Sequence, residues 1–537
     1  MDKRIQLLDC TLRDGAYIVN GEFGIPAIKG IIKKMQDAGV DIVECGWLKD
    51  GEHKDGTTYY HVPSDLEKYL TKRRSRTTYV VMIDWNRYNL DYLPDCDGKS
   101  IDAIRIVFPF GKQREGIEAG RRIAEKGYKV YLQAANTLDY NEEDLKELAR
   151  DVNGLKPAAL SIVDTFGAMY QEDLERTVKI LDRELLPEVS LGFHSHNNQQ
   201  LSFALSMHFV ELLNRTDRGC IVDASLCGMG RGAGNATTEL VANYLNRKQH
   251  CNYDMNQIMD AIDMYMSYFQ ENFTWGYSTP YFIAGMYCCH VNNIAYLQKN
   301  HRTNAQDMRN IIDSLSPEER KRYDYDLLEE KYMENQNRNV EDEEVMEELS
   351  REFGERPILL IAPGKTSKTQ VDRVRAYMRE KHPIVIGVNA INPLYQYDYL
   401  FMINTVRYNY AKEVYQEQFL STKKILLSSI KTQPEENEKI VNFTRVVKRG
   451  WVYFDNAVID LLRLLDKLHV GNVALAGFDG FKHKYNESYA DVSLPTLNPD
   501  NQWDLLNDEI MDMFLDFRES TKTTMDIMFI TDSIFDV

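Results

Sequence analysis

Over its first 250 residues or so the chain alternates short β-branched runs with amphipathic helical stretches, and no other feature narrows the possible fold so far. Eight strands are predicted: Ile5 to Asp9, Ile42 to Gly46, Tyr79 to Asp84, Ala103 to Phe108, Lys129 to Gln133, Ala159 to Asp164, Ser190 to His194 and Cys220 to Ala224. Helical spacing, as over Ile25 to Ala38, Gly116 to Glu125, Glu142 to Val152 and Gln171 to Asp182, separates most of them, the pattern of repeated βα units. Eight units in that length fit a closed (β/α)8 TIM barrel better than a doubly wound open sheet, although periodicity alone leaves both open. In a barrel the polar residues that end strands gather at one rim, where barrel enzymes keep their chemistry. Here those ends are Asp9 to Gly15, Glu44 to Gly46, Asp164 to Gly167, His194 with His196, and the glycine-rich run Gly228 to Asn235.

Two histidines one residue apart on a strand project from the same face, so His194 and His196 can aim two imidazoles at one ion. Taken alone the pair is only a polar strand end. With Asp14 it provides one hard oxygen and two nitrogens, a set that suits Mn2+, Co2+, Fe2+ or Zn2+ with coordination positions left open. A 2-oxo acid can fill two such positions, and the ion then stabilises the enolate formed when a C–C bond breaks. Arg13, next to Asp14, would offer a planar guanidinium to the same developing charge; its bland alternative is a salt bridge at the barrel rim.

A net charge of −18 and a pI near 5.2 argue against nucleic acid or an anionic membrane surface as a partner. No run approaches the ~20 apolar residues of a membrane span. The eight cysteines form neither a CxxC pair nor a disulfide framework, which points to a reducing, cytoplasmic setting. Composition divides the chain into a barrel over residues 1–251, a helical, aromatic and then charged extension over 252–354, and a second α/β region over 355–537. The acidic run Glu341 to Glu344 reads as a solvated helix face or linker rather than an interaction tail. Strands around Leu359, Ile386 and Leu475 imply a Rossmann-like open sheet. The turn Ala362-Pro363-Gly364-Lys365-Thr366-Ser367 is either a phosphate-binding helix start or an ordinary βα turn, and it lacks P-loop spacing.

Thr11-Leu12-Arg13-Asp14-Gly15, His194-Ser195-His196-Asn197 and Gly228-Met229-Gly230-Arg231-Gly232-Ala233-Gly234-Asn235-Ala236 resemble the signatures of the DRE-TIM metallolyases, relatives of HMG-CoA lyase, and within them the 4-hydroxy-2-oxovalerate aldolase branch most. The resemblance covers roughly residues 1 to 300. It implies Asp14, His194 and His196 as metal ligands, Arg13 as the enolate stabiliser, and Asn235 as a further ligand or a group just behind the ligands. Gly230 and Gly232 would let backbone approach the substrate, or serve only the turn. Glu44 and Asp164 would orient ligands, substrate or water, or only make buried hydrogen bonds. Tyr17 stands where those aldolases carry a histidine that handles the substrate hydroxyl proton; it is either a base of depressed pKa or a packing residue.

The cofactor implied is a divalent metal, Mn2+ first, with Mg2+, Co2+ and Zn2+ as alternatives. The substrates implied are a 2-oxo acid and an aldehyde, and the assembly a homo-oligomer. Claisen condensation of an acyl-CoA is the alternative chemistry, against which Gly15 stands where the synthases carry Glu. The carboxyl-terminal region shows a fainter likeness to bacterial sialyltransferase-type Rossmann domains. That likeness opens a third reading, a nucleotide-sugar activity in surface-glycan biosynthesis with the barrel as scaffold.

Overall fold

The computed structural model describes residues 4–70, 76–301, 303–337, 340–354, 356–431, 435–482, 487–496, 502–521 and 525–536. They form two compact units, one of residues up to Ile294 with Arg320–Arg322, the other of Ala295–Glu319 with residues from Tyr323 onward.

In the first unit, strands β1 (Ile5–Asp9), β2 (Ile42–Leu48), β3 (Thr78–Asp84), β4 (Ala103–Phe108), β5 (Lys129–Ala134), β6 (Ala159–Asp164), β7 (Ser190–Ser195) and β8 (Cys220–Ala224) pair in parallel, each with the next in sequence. Pairing of β1 with both β2 and β8 closes the barrel. A two-residue strand, Tyr59–Tyr60, adds to the far end of β2. Six α-helices cover the outside: α1 (Ile25–Asp37), α2 (Gln113–Glu125), α3 (Glu142–Leu155), α4 (Gln171–Glu184), α5 (Ser202–Leu213) and α6 (Thr238–Gln249). After β2 and β3 the expected helix is replaced by short 3-10 segments, Pro63–Tyr69 and Leu90–Tyr92.

Local chemistry explains the elements. Helix α3 starts at Asn141, whose side chain accepts from the N–H groups of Glu143 and Asp144 while Asp144 accepts from the Asn141 N–H. It then buries Leu145, Leu148, Ala149 and Val152, one stripe at helical spacing.

The pleat decides what fills the barrel. Leu8, Ile42, Val80, Ala103, Tyr131, Ala159 and Ile221 pack into one apolar cluster. Two residues farther along their strands, on the same face, stand Glu44, Arg105, Gln133, Ser161 and Asp223, all buried. An apolar plug therefore carries a polar layer on the side where the strands end.

The second unit holds an all-parallel sheet of β9 (Ile358–Ile361), β10 (Ile384–Val388), β11 (Tyr399–Met402), β12 (Lys423–Leu427), β13 (Glu438–Val441), β14 (Asn472–Ala476) and β15 (Asp526–Phe529), in the order β13-β12-β11-β10-β9-β14-β15. Its central strands are continuous apolar runs, as expected for a sheet covered on both faces. The acidic run forms the start of a helix, Glu343–Phe353, that buries Leu349 and Phe353 and exposes Glu343, Glu344, Glu347 and Glu348. The turn after β9 is an ordinary βα turn. Its Gly364, Lys365 and Thr366 N–H groups donate to Gly477 O, Ser488 O and the Asp479 carboxylate, so none is left for a phosphate.

Candidate metal centre

Asp14 closes a one-turn helix, Thr11–Asp14, directly after β1, and β7 ends in His194-Ser195 with His196 immediately after it. One ligand atom from each of these three residues lies within 4.8 Å of the other two. The imidazole planes cross at 87° with centroids 5.1 Å apart, and Asp14 Oδ2 is 4.0 Å from His196 Nδ1. Asn235, in the loop after β8, donates from Nδ2 to Asp14 Oδ2 at 2.6 Å, while its own buried Oδ1 has no hydrogen bond. The sequence-predicted ligand set is therefore brought together, with Asn235 in direct contact.

The donor set fits a divalent ion. Burial alone would raise the Asp14 carboxyl, but Arg13, His196 and His194, with the Asn235 bond, overcome it and hold the group well below the usual carboxylate range. Burial lowers His196 to about 4 against the pull of Asp14. A carboxylate beside a neutral imidazole is the protonation state that metal binding needs. The orphaned Asn235 Oδ1 gives a further oxygen with nothing else to bond.

Behind the triad runs a buried chain of alternating charge. Arg13 bonds Asp14 Oδ1 through Nη1 at 2.5 Å and Glu44 Oε2 through Nε at 2.7 Å. Arg105 bonds the same Glu44 oxygen at 2.9 Å and also pairs with Asp223. Asp223 Oδ2 in turn lies 3.1 Å from His194 Nδ1. The chain Asp14, Arg13, Glu44, Arg105, Asp223, His194 thus starts and ends on candidate ligands, and every member is at most 5% exposed. Burial would raise Asp223, but Arg105 and His194 outweigh it and keep the group ionised. Sequence reasoning missed Arg105 and Asp223. The available signal was a charged residue at an inward position of an apolar strand, Ile104-Arg105-Ile106 and Val222-Asp223-Ala224.

The other candidates differ. A Cβ on Gly230 would sit 2.4 Å from Asn235 Nδ2 and 2.6 Å from Asp14 Oδ2, so this backbone touches the site. Gly232 meets Val291 and Asn198 instead and has φ +65°, a turn requirement. Asp164 accepts from the Ala168 and Met169 N–H groups and from the Ser195 hydroxyl, none of them in the triad, and burial raises it to about 7. Tyr17 is 47% exposed, edge-on to Trp47 and under the Arg231 guanidinium. Desolvation by the surrounding protein raises its phenol above the ordinary value, and Arg231 and Arg13 offset only part of that. No depressed pKa supports it as a base.

Among the described residues no helix is long and apolar enough to cross a membrane. Residues 111–264 match the family model described as HMGL-like. The chain is 28% identical over 260 residues to an oxaloacetate decarboxylase of Mycobacterium tuberculosis, covering 48% of this chain and 74% of that protein. It is 26% identical over 270 residues to a 4-hydroxy-2-oxovalerate aldolase of Geobacillus genomosp. 3, covering 48% and 76%. A Bacillus subtilis HMG-CoA lyase structure overlays at 14% identity with a TM-score of 0.39, covering 50% of this chain and 93% of that one. Barrel closure, the strand-end signatures, the family-model match and the two curated relatives together support the DRE-TIM metallolyase superfamily for the amino-terminal domain, which carries an HMGL-like stretch at residues 111–264.

Proposed function

We propose that the barrel is a divalent-metal-dependent carbon-carbon lyase that makes or breaks a bond between a pyruvate-type enolate and an aldehyde. The observation that carries the reading is the meeting of Asp14, His194 and His196 ligand atoms within 4.8 Å, beside a buried arginine. Asp14, His194 and His196, with Asn235 alongside, would hold the ion, and Mn2+ is our first choice among the ions, Co2+, Fe2+ and Zn2+ included, that a mixed oxygen and imidazole set suits. When bound, the ion supplies Lewis-acid stabilisation of enolate charge.

The rest falls to the protein. Arg13 is anchored by Glu44 and Asp14 and cannot swing away, so its remaining N–H groups present a preorganised cation to the enolate oxygen. Tyr17, with its raised pKa, suits hydrogen-bond donation to the aldehyde oxygen, or protonation of the alkoxide in the bond-forming direction, better than proton abstraction. Gly15 favours the aldolase over the acyl-CoA alternative. A Cβ there would already lie 2.5 Å from Thr11 O and 2.8 Å from Met229 Sδ, leaving no room for the glutamate of the synthases.

The test is metal analysis of purified protein together with pyruvate release from 4-hydroxy-2-oxo acids and from oxaloacetate, without CoA. Release that EDTA abolishes and Mn2+ restores supports the reading; metal-replete protein that releases pyruvate from none of these substrates refutes it.

A further inference from the structure

The second unit carries a cleft of its own. The strand order reverses between β9 and β14, and in parallel sheets of this kind the crevice beyond the carboxyl ends of the strands at such a reversal is where small molecules bind. A cavity of about 120 Å³ opens there, lined by the segments that follow β9, β10, β11 and β14. That is room for a cluster on the order of ten waters, hence for a ligand of about ten non-hydrogen atoms.

Its wall holds a buried cation without an ionic partner. Arg407 is 8% exposed; its Nε donates to Pro495 O at 3.0 Å and its Nη1 to Asn389 O at 3.4 Å. Among the described residues no carboxylate pairs with it, and its Nη2 makes no hydrogen bond. A buried charge that meets only backbone carbonyls and the face of a ring is costly unless an anion completes it. Of the two carboxylates of the lining, Asp479 accepts from the Thr366 N–H and hydroxyl, and neither it nor Asp455 pairs with Arg407.

The opposite character is supplied by rings. Tyr489 lies under the Arg407 guanidinium, 4.9 Å from its centroid, and Phe481 meets Tyr489 edge-on at 5.9 Å. Phe478 and Phe535 complete an apolar wall. Bonding within the turn after β9 excludes a phosphate cradle there, and among the described residues Arg407 is the one cationic side chain lining the cleft.

We propose that this cleft binds a small organic acid with a flat apolar body, its carboxylate or phosphate on Arg407 and its body against Phe481 and Tyr489. The test titrates the full chain in EDTA, which silences a metal site in the barrel, with phenyl phosphate and 4-hydroxybenzoate, and with neutral 4-hydroxybenzyl alcohol as control. The expected result is saturable binding of at least one acid, weakened tenfold or more in Arg407→Gln and unchanged in His194→Ala. No binding of either acid overturns the proposal, as do equal affinity in Arg407→Gln and equal affinity for the alcohol. If Arg407→Gln does not fold, Phe481→Leu takes its place, with the same loss expected and the same refutation.

Discussion

Asp223→Asn isolates the far end of the buried charge chain. The carboxylate serves two neighbours, pairing with Arg105 and lying 3.1 Å from His194 Nδ1. His194 Nδ1 makes no hydrogen bond in this geometry, but a carboxylate this close favours the proton on Nδ1 and so leaves Nε2 for a metal. Losing such a partner typically costs about 10–100-fold in metal affinity, or roughly 1.4–2.7 kcal/mol. The amide keeps the shape but can accept from only one neighbour at full strength and carries no charge. Arg105 then has Glu44 as its single anionic partner in a fully buried setting, and breaking a buried pair costs about 3–5 kcal/mol. For a domain of this size that corresponds to a melting temperature lower by about 6–20 °C. Two measurements separate the effects: calorimetric Mn2+ titration of the folded variant, and thermal unfolding in EDTA, where no metal contributes. Wild-type Mn2+ affinity in folded Asp223→Asn would refute the idea that Asp223 orients His194. Wild-type stability in EDTA would refute the ionic chain.

His194→Ala and His196→Ala are each expected to lose bound metal while circular dichroism stays native; full metal occupancy in both contradicts the ligand assignment. Arg13→Lys should retain metal but lose about 10²–10³-fold in turnover, because an ammonium cannot reach Glu44, Asp14 and an enolate together, and unchanged kcat counts against it. Gly230→Ala drives a methyl into Asn235 and Asp14 and should weaken metal binding at a stability cost of about 1–3 kcal/mol, read by the same titration and melts. Asp164 gives a pH signature. Its folded pKa, about 7, lies above the ordinary 3.8, so between those values the folded state keeps a proton that the unfolded chain releases. Asp164 alone therefore takes stability away as pH rises from about 4 to 7, while His196, with a folded pKa of about 4 below its ordinary 6.5, adds stability over the same range, so the signature is the stability difference between wild type and Asp164→Asn, which should fall from pH 4 to 7 and level off above. Parallel urea-midpoint curves for the two proteins would show that Asp164 is not the group responsible.

What the sequence revealed and what it hid have one physical origin. Strand and helix periods are local, so the eight strands and the outer helices could be counted from Ile5 to Gln249, and strand ends could be assigned to a common rim. The triad was legible because its members sit beside chain reversals, where Asp14, His194 and His196 have no local structural duty. Glu44, Arg105 and Asp223 sit inside strands, and their partners lie 61 and 118 residues away. No periodicity encodes such a pairing; only closure of the cylinder brings the three strands together. Asp164 makes the buried hydrogen bonds that were one of its two expected roles. Although it ends a strand like the others, its oxygens are taken by the Ala168 and Met169 N–H groups of the loop it starts and by Ser195, which points away from the two histidines by the alternation of β7. Asp14 itself lies past the end of β1 in a one-turn helix, and Asn235 in the loop after β8, so ending a strand is neither required for a place in the centre nor enough for one. Membership is decided by the pleat, which puts His194 and His196 on one side of β7 and Ser195 on the other. It is decided also by whether a charged neighbour two residues down the same face, as Arg105 and Asp223 are for the apolar plug beneath them, leaves the side chain at the mouth with a counter-charge to answer.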